Sequence, residues 1–194
     1  MSVLRMAMDT RIFVLISGKR KSGKDFFSDL LKERLSNRWK TTVVALSHSL
    51  KEEYASIHDL EFSELVTASD YKEKYRRDMI EWGEKIRRND PAHFVRKALE
   101  SVGDAEVVIV SDCRRKSDLL MMEGKKRITV RVSSSLSSRI SRGFIFTTGI
   151  DDAESECGLD EYERFDVIVQ NDGDSIGLYG EMEKIEWRVD RLKA

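Results

Sequence analysis

Short apolar runs alternate with longer amphipathic stretches along the 194 residues of the chain. Continuous runs rich in Val and Ile are typical of strands that are buried on both faces, as in parallel sheets. The stretches between them predict crossover helices, so the pattern indicates an α/β fold with a central parallel sheet. Interior strands are predicted at Ile12–Ser17, Thr42–Leu46, Val107–Ser111 and Val167–Val169. A fifth run, Ile128–Val132, is more polar and is expected nearer an edge.

Two further helices, one near the middle and one at the end of the given sequence, are predicted by helical spacing of apolar residues. The first starts at Asp90-Pro91, with Asp90 as its N-cap and Pro91 in its first turn. Its apolar face contains Phe94, Val95, Ala98, Leu99 and Val102. The terminal helix is expected to pack on the sheet through Ile176, Tyr179, Met182, Ile185 and Val189. Because no repeat or linker divides the sequence, residues 1–194 are expected to form one domain.

Positive and negative charges nearly balance, since 34 Lys and Arg residues face 35 Asp and Glu residues. This balance does not favour a nucleic-acid partner. Basic residues are clustered locally instead, which suits small ligands with several negative charges. The two cysteines, Cys113 and Cys157, are expected to be free thiols in a reducing compartment. The longest apolar runs are too short to cross a bilayer, so no membrane partner is expected.

Neither end of the chain has the pattern of a targeting signal. Met1–Thr10 lacks the apolar core of a signal peptide. The end, Arg191–Ala194, is not a peroxisomal tripeptide. We therefore expect a cytoplasmic location, with a peroxisomal location left open. We also expect the protein to be a monomer.

The first predicted strand leads directly into a glycine-bounded basic turn. Its sequence is Gly18-Lys19-Arg20-Lys21-Ser22-Gly23-Lys24, which has the spacing of a phosphate-binding P-loop. In such a loop, backbone N–H groups and the next helix N-terminus point at a phosphate chain, and Lys24 reaches the β- and γ-phosphates. Asp25 stands where a hydroxyl usually contacts Mg²⁺, and a carboxylate is a good hard ligand. A lysine-rich turn before an ordinary helix is the alternative.

The stretch Asp70–Asn89 predicts a helix that presents cations beside an aromatic stripe. The stripe contains Tyr71, Tyr75, Met79, Trp82 and Ile86. Lys72, Arg76, Gly83 and Arg87 lie beside it. A mid-helix glycine costs about 1 kcal/mol relative to alanine, so a close approach is expected at Gly83. These cations, joined by Arg96, could bind an acceptor phosphate. The alternative is a solvated face paired with Glu73, Glu81 and Glu84.

Polar residues follow the third and later strands. Asp112 ends a buried strand just before Arg114 and Arg115, where α/β sheets bind ligands, and could lie near Mg²⁺. A cap for the next helix is the alternative for Asp112. Residues 133–149, with Arg139 and Arg142, suit a lid over phosphates, or a simple surface helix and loop. The acidic block at 151–163 could pair with the lid arginines or bind magnesium. Asp172-Gly173 predicts a turn.

Several segments together resemble the animal-type phosphomevalonate kinases. The P-loop segment Ser17–Phe26 looks like that of the family, including its unusual Asp. Similar segments follow in the same order between about Val14 and Gly173. They are Leu50-Lys51-Glu52, Tyr71-Lys72-Glu73, Arg77-Asp78-Met79-Ile80, Trp82-Gly83-Glu84, Val110-Ser111-Asp112 with Arg114-Arg115, Arg142-Gly143, and the acidic block Asp151–Asp160.

The resemblance implies a nucleoside-monophosphate-kinase-like three-layer fold with a mobile lid around residues 133–149. It also implies an enzyme of the mevalonate route to isoprenoids and sterols. Such an enzyme transfers the γ-phosphoryl group of ATP, with Mg²⁺, to (R)-5-phosphomevalonate. The products are (R)-5-diphosphomevalonate and ADP.

The site residues implied by the resemblance are carried over by position. The ATP-binding residues are Gly18, Lys19, Arg20, Lys21, Ser22, Gly23, Lys24, Asp25, Arg142 and Asp172. The acceptor-binding residues are Lys51, Lys72, Arg76, Arg87, Arg96, Arg114, Arg115 and Asn171. The catalytic residues are Lys19, Arg20, Lys24, Asp25, Arg114 and Arg142, and the magnesium ligands are Asp25 and Asp112, directly or through water. The vertebrate members carry a His where Asp172 stands, and Gly177 and Glu181 replace polar or basic residues.

Charge neutralisation is the expected chemistry, because both substrates are anions. The attacking phosphate oxygen is already ionised at neutral pH, so a strong general base is not needed. A kinase for another small acceptor, such as a nucleoside monophosphate, would share these features. A nucleotide-dependent switch is the non-enzyme alternative, but the chain has no Asn-Lys-x-Asp segment that reads guanine.

Overall fold

The computed structural model describes residues 9–67, 70–173 and 175–194. Within them, five parallel strands form a sheet in the order β2-β3-β1-β4-β5. The strands are β1 (Ile12–Ser17), β2 (Thr41–Val44), β3 (Val107–Cys113), β4 (Lys126–Ser133) and β5 (Val167–Gln170). β1 is buried along its whole length because it lies at the centre of the sheet. The predicted α/β fold with a central parallel sheet is confirmed.

The positions of three strands in the sheet differ from the prediction. β2 and β5 are the edge strands, whereas the more polar β4 lies between β1 and β5. The polar side chains of β4 are satisfied locally, since Thr129 Oγ1 donates to Asp166 at 2.8 Å and Arg131 donates to Ser17 Oγ at 2.8 Å. Composition alone therefore misplaced β4, because its polarity is paired inside the fold.

Nine helices surround the sheet in the described part of the chain. They are α1 (Lys24–Ser36), α2 (Leu46–His58), α3 (Phe62–Val66), α4 (Asp70–Asn89), α5 (His93–Glu100), α6 (Lys116–Leu120), α7 (Leu136–Ser141), α8 (Glu154–Cys157) and α9 (Ser175–Lys193). One face of the sheet packs against α1 and α9, through residues such as Phe27 and Ile185. The other face packs against α2, α5 and α6, through Leu46, Val95 and Leu119. Among the described helices, none is long and apolar enough to cross a membrane.

The predicted helices agree in place but differ in detail. α4 has the predicted bounds, and its aromatic stripe packs with α2 and α3. α5 begins at His93, because Asp90 caps a preceding turn by accepting the N–H of Ala92 at 3.2 Å. In α9, Leu178 is buried, whereas Ile176 and Tyr179, expected on the packed face, are 81% and 54% exposed.

Gly83 is explained by packing between helices. A Cβ added there would lie 2.5 Å from Leu50 Cδ1 of α2 and 3.2 Å from Arg87 Nη1. The close approach expected at this glycine is therefore that of a neighbouring helix. A large side chain at position 83 would push α4 away from α2 and displace Arg87.

Candidate active site

Two adjoining cavities open at the carboxyl ends of β1 and β3. The large cavity has a volume of about 950 Å³ and is lined by the P-loop, the start of α2 and part of α4. The small cavity has a volume of about 170 Å³ and lies between α2, α4 and the segment after β3. Their shared wall consists of Ser47, Lys51, Lys72, Arg76, Asp112, Arg114 and Glu156. Four of the seven predicted acceptor-binding cations therefore meet at one junction.

The P-loop is held in a tight turn between β1 and α1. Gly23 has a φ of +82°, a left-handed conformation that favours glycine. A Cβ at Gly18 would lie 2.5 Å from Ser22 Oγ and 2.8 Å from the Val132 carbonyl oxygen, so the loop has no room for a side chain there. Ser22 Oγ is buried and has no hydrogen-bond partner among the described residues. A buried hydroxyl without a partner is a candidate donor or acceptor for a bound ligand.

Lys24 and Asp25 begin α1 at the wall of the large cavity. The Lys24 side chain is largely buried, and its Nζ lies 2.6 Å from Asp25 Oδ1. The Asp25 side chain is 77% exposed and faces the same cavity. A buried ammonium and an exposed carboxylate at the start of a helix suit a phosphate chain that carries a divalent cation.

Asp112 is buried at the end of β3 and anchors α2. Its Oδ1 accepts the N–H of Leu46 at 2.6 Å, and its Oδ2 accepts the N–H of Ser47 at 3.0 Å. Burial alone would raise the pKa of this carboxyl, but Lys24 and the hydrogen bonds from Ser47 hold the pKa below its usual value. Asp112 thus caps the helix that follows β2, whereas Asp118 accepts the N–H groups at the start of α6. Strand β2 ends before Leu46 because of this cap.

The junction carries a cluster of crowded, partly buried cations. Burial, with the nearby charge of Lys72, lowers the pKa of Lys51 to about 8. Burial, with the nearby charge of Arg76, also lowers the pKa of Lys72. Cations that are crowded and dehydrated gain most from an anion, because it offsets both costs.

Two guanidinium groups lie together at the wall of the small cavity. Arg87 stacks over the ring of Phe94 at 4.6 Å, and burial, followed by the charge of Arg115, lowers its pKa. Arg115 is buried and pairs with Glu84, while its Nε has no hydrogen-bond partner among the described residues. Crowded, buried guanidinium groups with the Arg115 Nε donor left unpaired are of the kind that suits an anion.

Some predicted site residues lie elsewhere or have protein partners. Arg96 is brought into neither cavity, because its guanidinium is 58% exposed and pairs with Asp90. Arg76 lines both cavities, with its Nε 3.0 Å from Glu73 Oε2. The alternative of a helix face paired with glutamates therefore describes part of α4.

The segment predicted as a lid contacts the back of the P-loop. Arg142 donates to the Asn171 carbonyl oxygen at 2.8 Å and to Ser134 Oγ at 2.9 Å. Asn171 Nδ2 donates to the Ser22 carbonyl oxygen at 2.9 Å. Asp172 accepts the N–H of Ser135 at 2.7 Å, and the next residue, Gly173, has a φ of +107°, as expected where the chain changes direction. The end of β5, the start of the lid segment and the P-loop are therefore joined by hydrogen bonds.

The acidic block pairs with the P-loop and with Arg114. Asp151 accepts from Arg20 Nε at 2.9 Å and from Nη2 at 2.7 Å, and Asp160 pairs with Lys19. Glu156 accepts the backbone N–H of Arg20 at 2.9 Å. The sequence offered the lid arginines or magnesium as partners of this block, whereas Arg139 and Arg142 donate to backbone carbonyl oxygens instead. The opposite charges of the block and the loop were the only signal that could have matched them.

Comparisons with known proteins agree with this geometry. A model of the phosphomevalonate kinase family matches residues 16–127. A phosphomevalonate kinase of Drosophila melanogaster is 42% identical over 188 residues, which cover 93% of this chain and 96% of that protein. A crystal structure of shikimate kinase from Bacteroides thetaiotaomicron has the same fold, with a TM-score of 0.50 and 14% identity over 92% of this chain and 98% of that one. The family and the P-loop kinase fold predicted from the sequence are both confirmed, and the chain belongs to the animal-type phosphomevalonate kinase family.

Proposed function

We propose that the P-loop side of the large cavity binds the phosphate chain of ATP and that the cations of the junction bind (R)-5-phosphomevalonate. The observation that carries this proposal is the shared wall of the two cavities, where Lys51, Lys72 and Arg114 line both. An acceptor phosphate held there can meet the γ-phosphoryl group without leaving the protein. The buried pair of Arg87 and Arg115 supplies a second anion-binding wall for the rest of the acceptor.

Electrostatic stabilisation supplies most of the proposed catalysis. Lys24, Arg20 and Arg114 spread positive charge over the oxygens of the transferred group, where a loose transition state carries its negative charge. Lys19 belongs to the same cluster, although Asp160 pairs with it. Arg142 connects the lid segment to the P-loop through Asn171, and in this proposal it binds ATP. The attacking phosphate oxygen is ionised, so the residues need only hold it in line.

Mg²⁺ fits the donors that line the large cavity. Magnesium usually takes one or two carboxylates, phosphate oxygens and waters. Asp25 is exposed to the cavity, and Asp112 can hold a water because each of its oxygens accepts a single backbone N–H. In this proposal the two carboxylates hold the ion, which neutralises phosphate charge when bound.

Removal of the Asp25 carboxylate should raise the magnesium requirement. We expect Asp25→Ala to increase the Mg²⁺ concentration at half-maximal rate and to lower kcat, whereas Asp25→Ser should recover part of the rate. Steady-state rates over a magnesium titration measure this effect. Glu33→Ala is the matched control, since Glu33 is an exposed carboxylate on α1 that lines neither cavity. If the magnesium titrations of Asp25→Ala and the parent protein are identical, Asp25 does not bind magnesium, and its carboxylate only stabilises the start of α1.

Acceptor affinity should fall as the pH rises through about 8. The pKa of Lys51 is lowered from 10.5 to about 8, so its positive charge is lost between pH 7 and 9. Calorimetric titration of phosphomevalonate should show weaker binding at pH 9 and proton uptake near pH 8, and both effects should be absent in Lys51→Met. A pH-independent difference between the two proteins would contradict this role of Lys51.

The same pKa has an opposite consequence for stability. Between pH 8 and 10.5 the unfolded chain keeps the Lys51 proton that the folded protein has lost. The Lys51 contribution to the free energy of unfolding should therefore rise with pH across this window. Denaturant unfolding of the parent protein and of Lys51→Met, compared at pH 7.5 and 9.5, isolates that contribution.

A panel of acceptors tests the proposed reaction. ADP formation from ATP should depend on (R)-5-phosphomevalonate, and the product should be its diphosphate ester. Mevalonate and nucleoside monophosphates, supplied at the same concentration, should give background rates. Faster turnover of a nucleoside monophosphate than of phosphomevalonate would contradict the proposal and would identify nucleoside monophosphates as the acceptor.

The proposed setting is a cytoplasmic monomer. Cys113 and Cys157 are free thiols, which suits a reducing compartment. Sedimentation of the active protein would test the oligomeric state.

A further inference from the structure

The carboxylate of Glu156 lies at the junction of the two cavities and already has two kinds of donor. Its Oε2 accepts the backbone N–H of Arg20 at 2.9 Å, and its Oε1 accepts from Arg114 Nη1. The side chain is only 8% exposed, yet it lines both cavities. A protein anion therefore occupies the point between the P-loop and the acceptor wall.

These donors are of the kind that bind phosphoryl oxygens. Backbone N–H groups of a P-loop and a guanidinium fork both favour anions with several oxygens. A carboxylate and a phosphoryl group carry like charges, so they cannot share the same donors at hydrogen-bond distance. A phosphoryl group can use these donors only after Glu156 has left them.

Two other carboxylates of the acidic block that pair with the P-loop are placed differently. Asp151 forms an ion pair with Arg20, and Asp160 forms one with Lys19. In the described part of the chain, neither of these carboxylates lines either cavity. Both can therefore keep their contacts when the cavities fill. Glu156 instead sits on α8, a single turn of four residues that all keep part of their surface exposed. Movement of α8 would uncover little apolar surface.

We propose that Glu156 is an internal anion that occupies a phosphoryl-binding position of the empty enzyme and is displaced when a phosphate chain binds. It keeps Arg20 N–H and Arg114 paired until a ligand arrives. Small anions would have to compete with it, whereas a ligand that also reaches Lys24 gains enough to replace it. The proposal rests on the proposed function only for the assignment of these donors to phosphate.

Tripolyphosphate binding tests the displacement without any turnover. Titration calorimetry of the full chain with magnesium tripolyphosphate should show Glu156→Gln binding at least about fivefold more tightly than the parent protein, since a charged hydrogen-bonded competitor is lost. Glu154→Gln is the matched control, because it removes the same charge from the same turn and Glu154 is exposed. It should change the affinity less than about twofold, as expected for a surface charge.

Unchanged tripolyphosphate affinity in Glu156→Gln would overturn the proposal. Weaker affinity would overturn it too, because Glu156 would then be a residue that positions Arg114 for the ligand. Hydrogen exchange of the parent protein gives a second test that does not depend on the variant folding. Tripolyphosphate should speed exchange in residues 154–158, and unchanged or slower exchange there would also contradict displacement. If phosphomevalonate is not a substrate but these results hold, the proposed function fails and the displacement stands.

Discussion

Methionine in place of Lys24 should lower kcat at least about a hundredfold while the protein remains folded. The ammonium group of Lys24 is largely buried beside the large cavity, where it would stabilise the phosphate oxygens more in the transition state than in the ground state. Its partner Asp25 is 77% exposed and stays hydrated without it. The fold should therefore tolerate the change.

Rates at saturating ATP and acceptor, with thermal unfolding of the same samples, measure this prediction. Lys32→Met is the matched control, because Lys32 is exposed on the same helix and should leave kcat unchanged. A folded Lys24→Met protein with a near-normal kcat would refute the proposed role of the P-loop.

Methionine in place of Arg87 should weaken acceptor binding by about 1.5–3 kcal/mol, which is roughly tenfold to a hundredfold or more. Arg87 lies beside Arg115 at the small cavity, where burial and like charge already lower its pKa. The unliganded protein should therefore be as stable as the parent or more stable, because a crowded charge has been removed. At this position, acceptor affinity is expected to fall while the free energy of unfolding stays the same or rises.

Equilibrium titrations with phosphomevalonate and with ATP separate this role from a general loss of structure. ATP affinity should stay unchanged, and the midpoint of thermal unfolding should not fall. Arg88→Met is the matched control, since Arg88 is the exposed neighbour on α4 and removes the same charge. Lost ATP affinity with retained acceptor affinity, or lower stability in Arg87→Met alone, would contradict the assignment.

Local signals predicted the elements that carry the site. The apolar run of β1, the glycine spacing and the start of α1 are consecutive in sequence, so one short segment determines the P-loop. The bounds of α4 were also predictable, because its stripe repeats at helical spacing over 20 residues. Such features depend on neighbours along the chain.

Features that depend on distant residues could not be predicted. The polar run of β4 gave no sign that Asp166 would satisfy Thr129. Gly83 needed the position of Leu50 to be understood. The cap that Asp112 gives to α2 joins residues 65 and 66 positions apart, and no spacing rule connects them. The pairing of Glu156 with the P-loop has the same origin.

The hydrogen bonds behind the P-loop have a consequence for synthesis on the ribosome. The loop is translated well before its partners Ser134, Arg142 and Asn171, which follow it by more than 100 residues. Strand β1, which leads into the loop, also pairs with β3 and β4, and both are translated after it. Chains are made from the N-terminus at about 5–20 residues per second. A nascent chain should therefore acquire nucleotide affinity only after β5 has emerged, in one step, and chains that stall before β5 should not retain ATP.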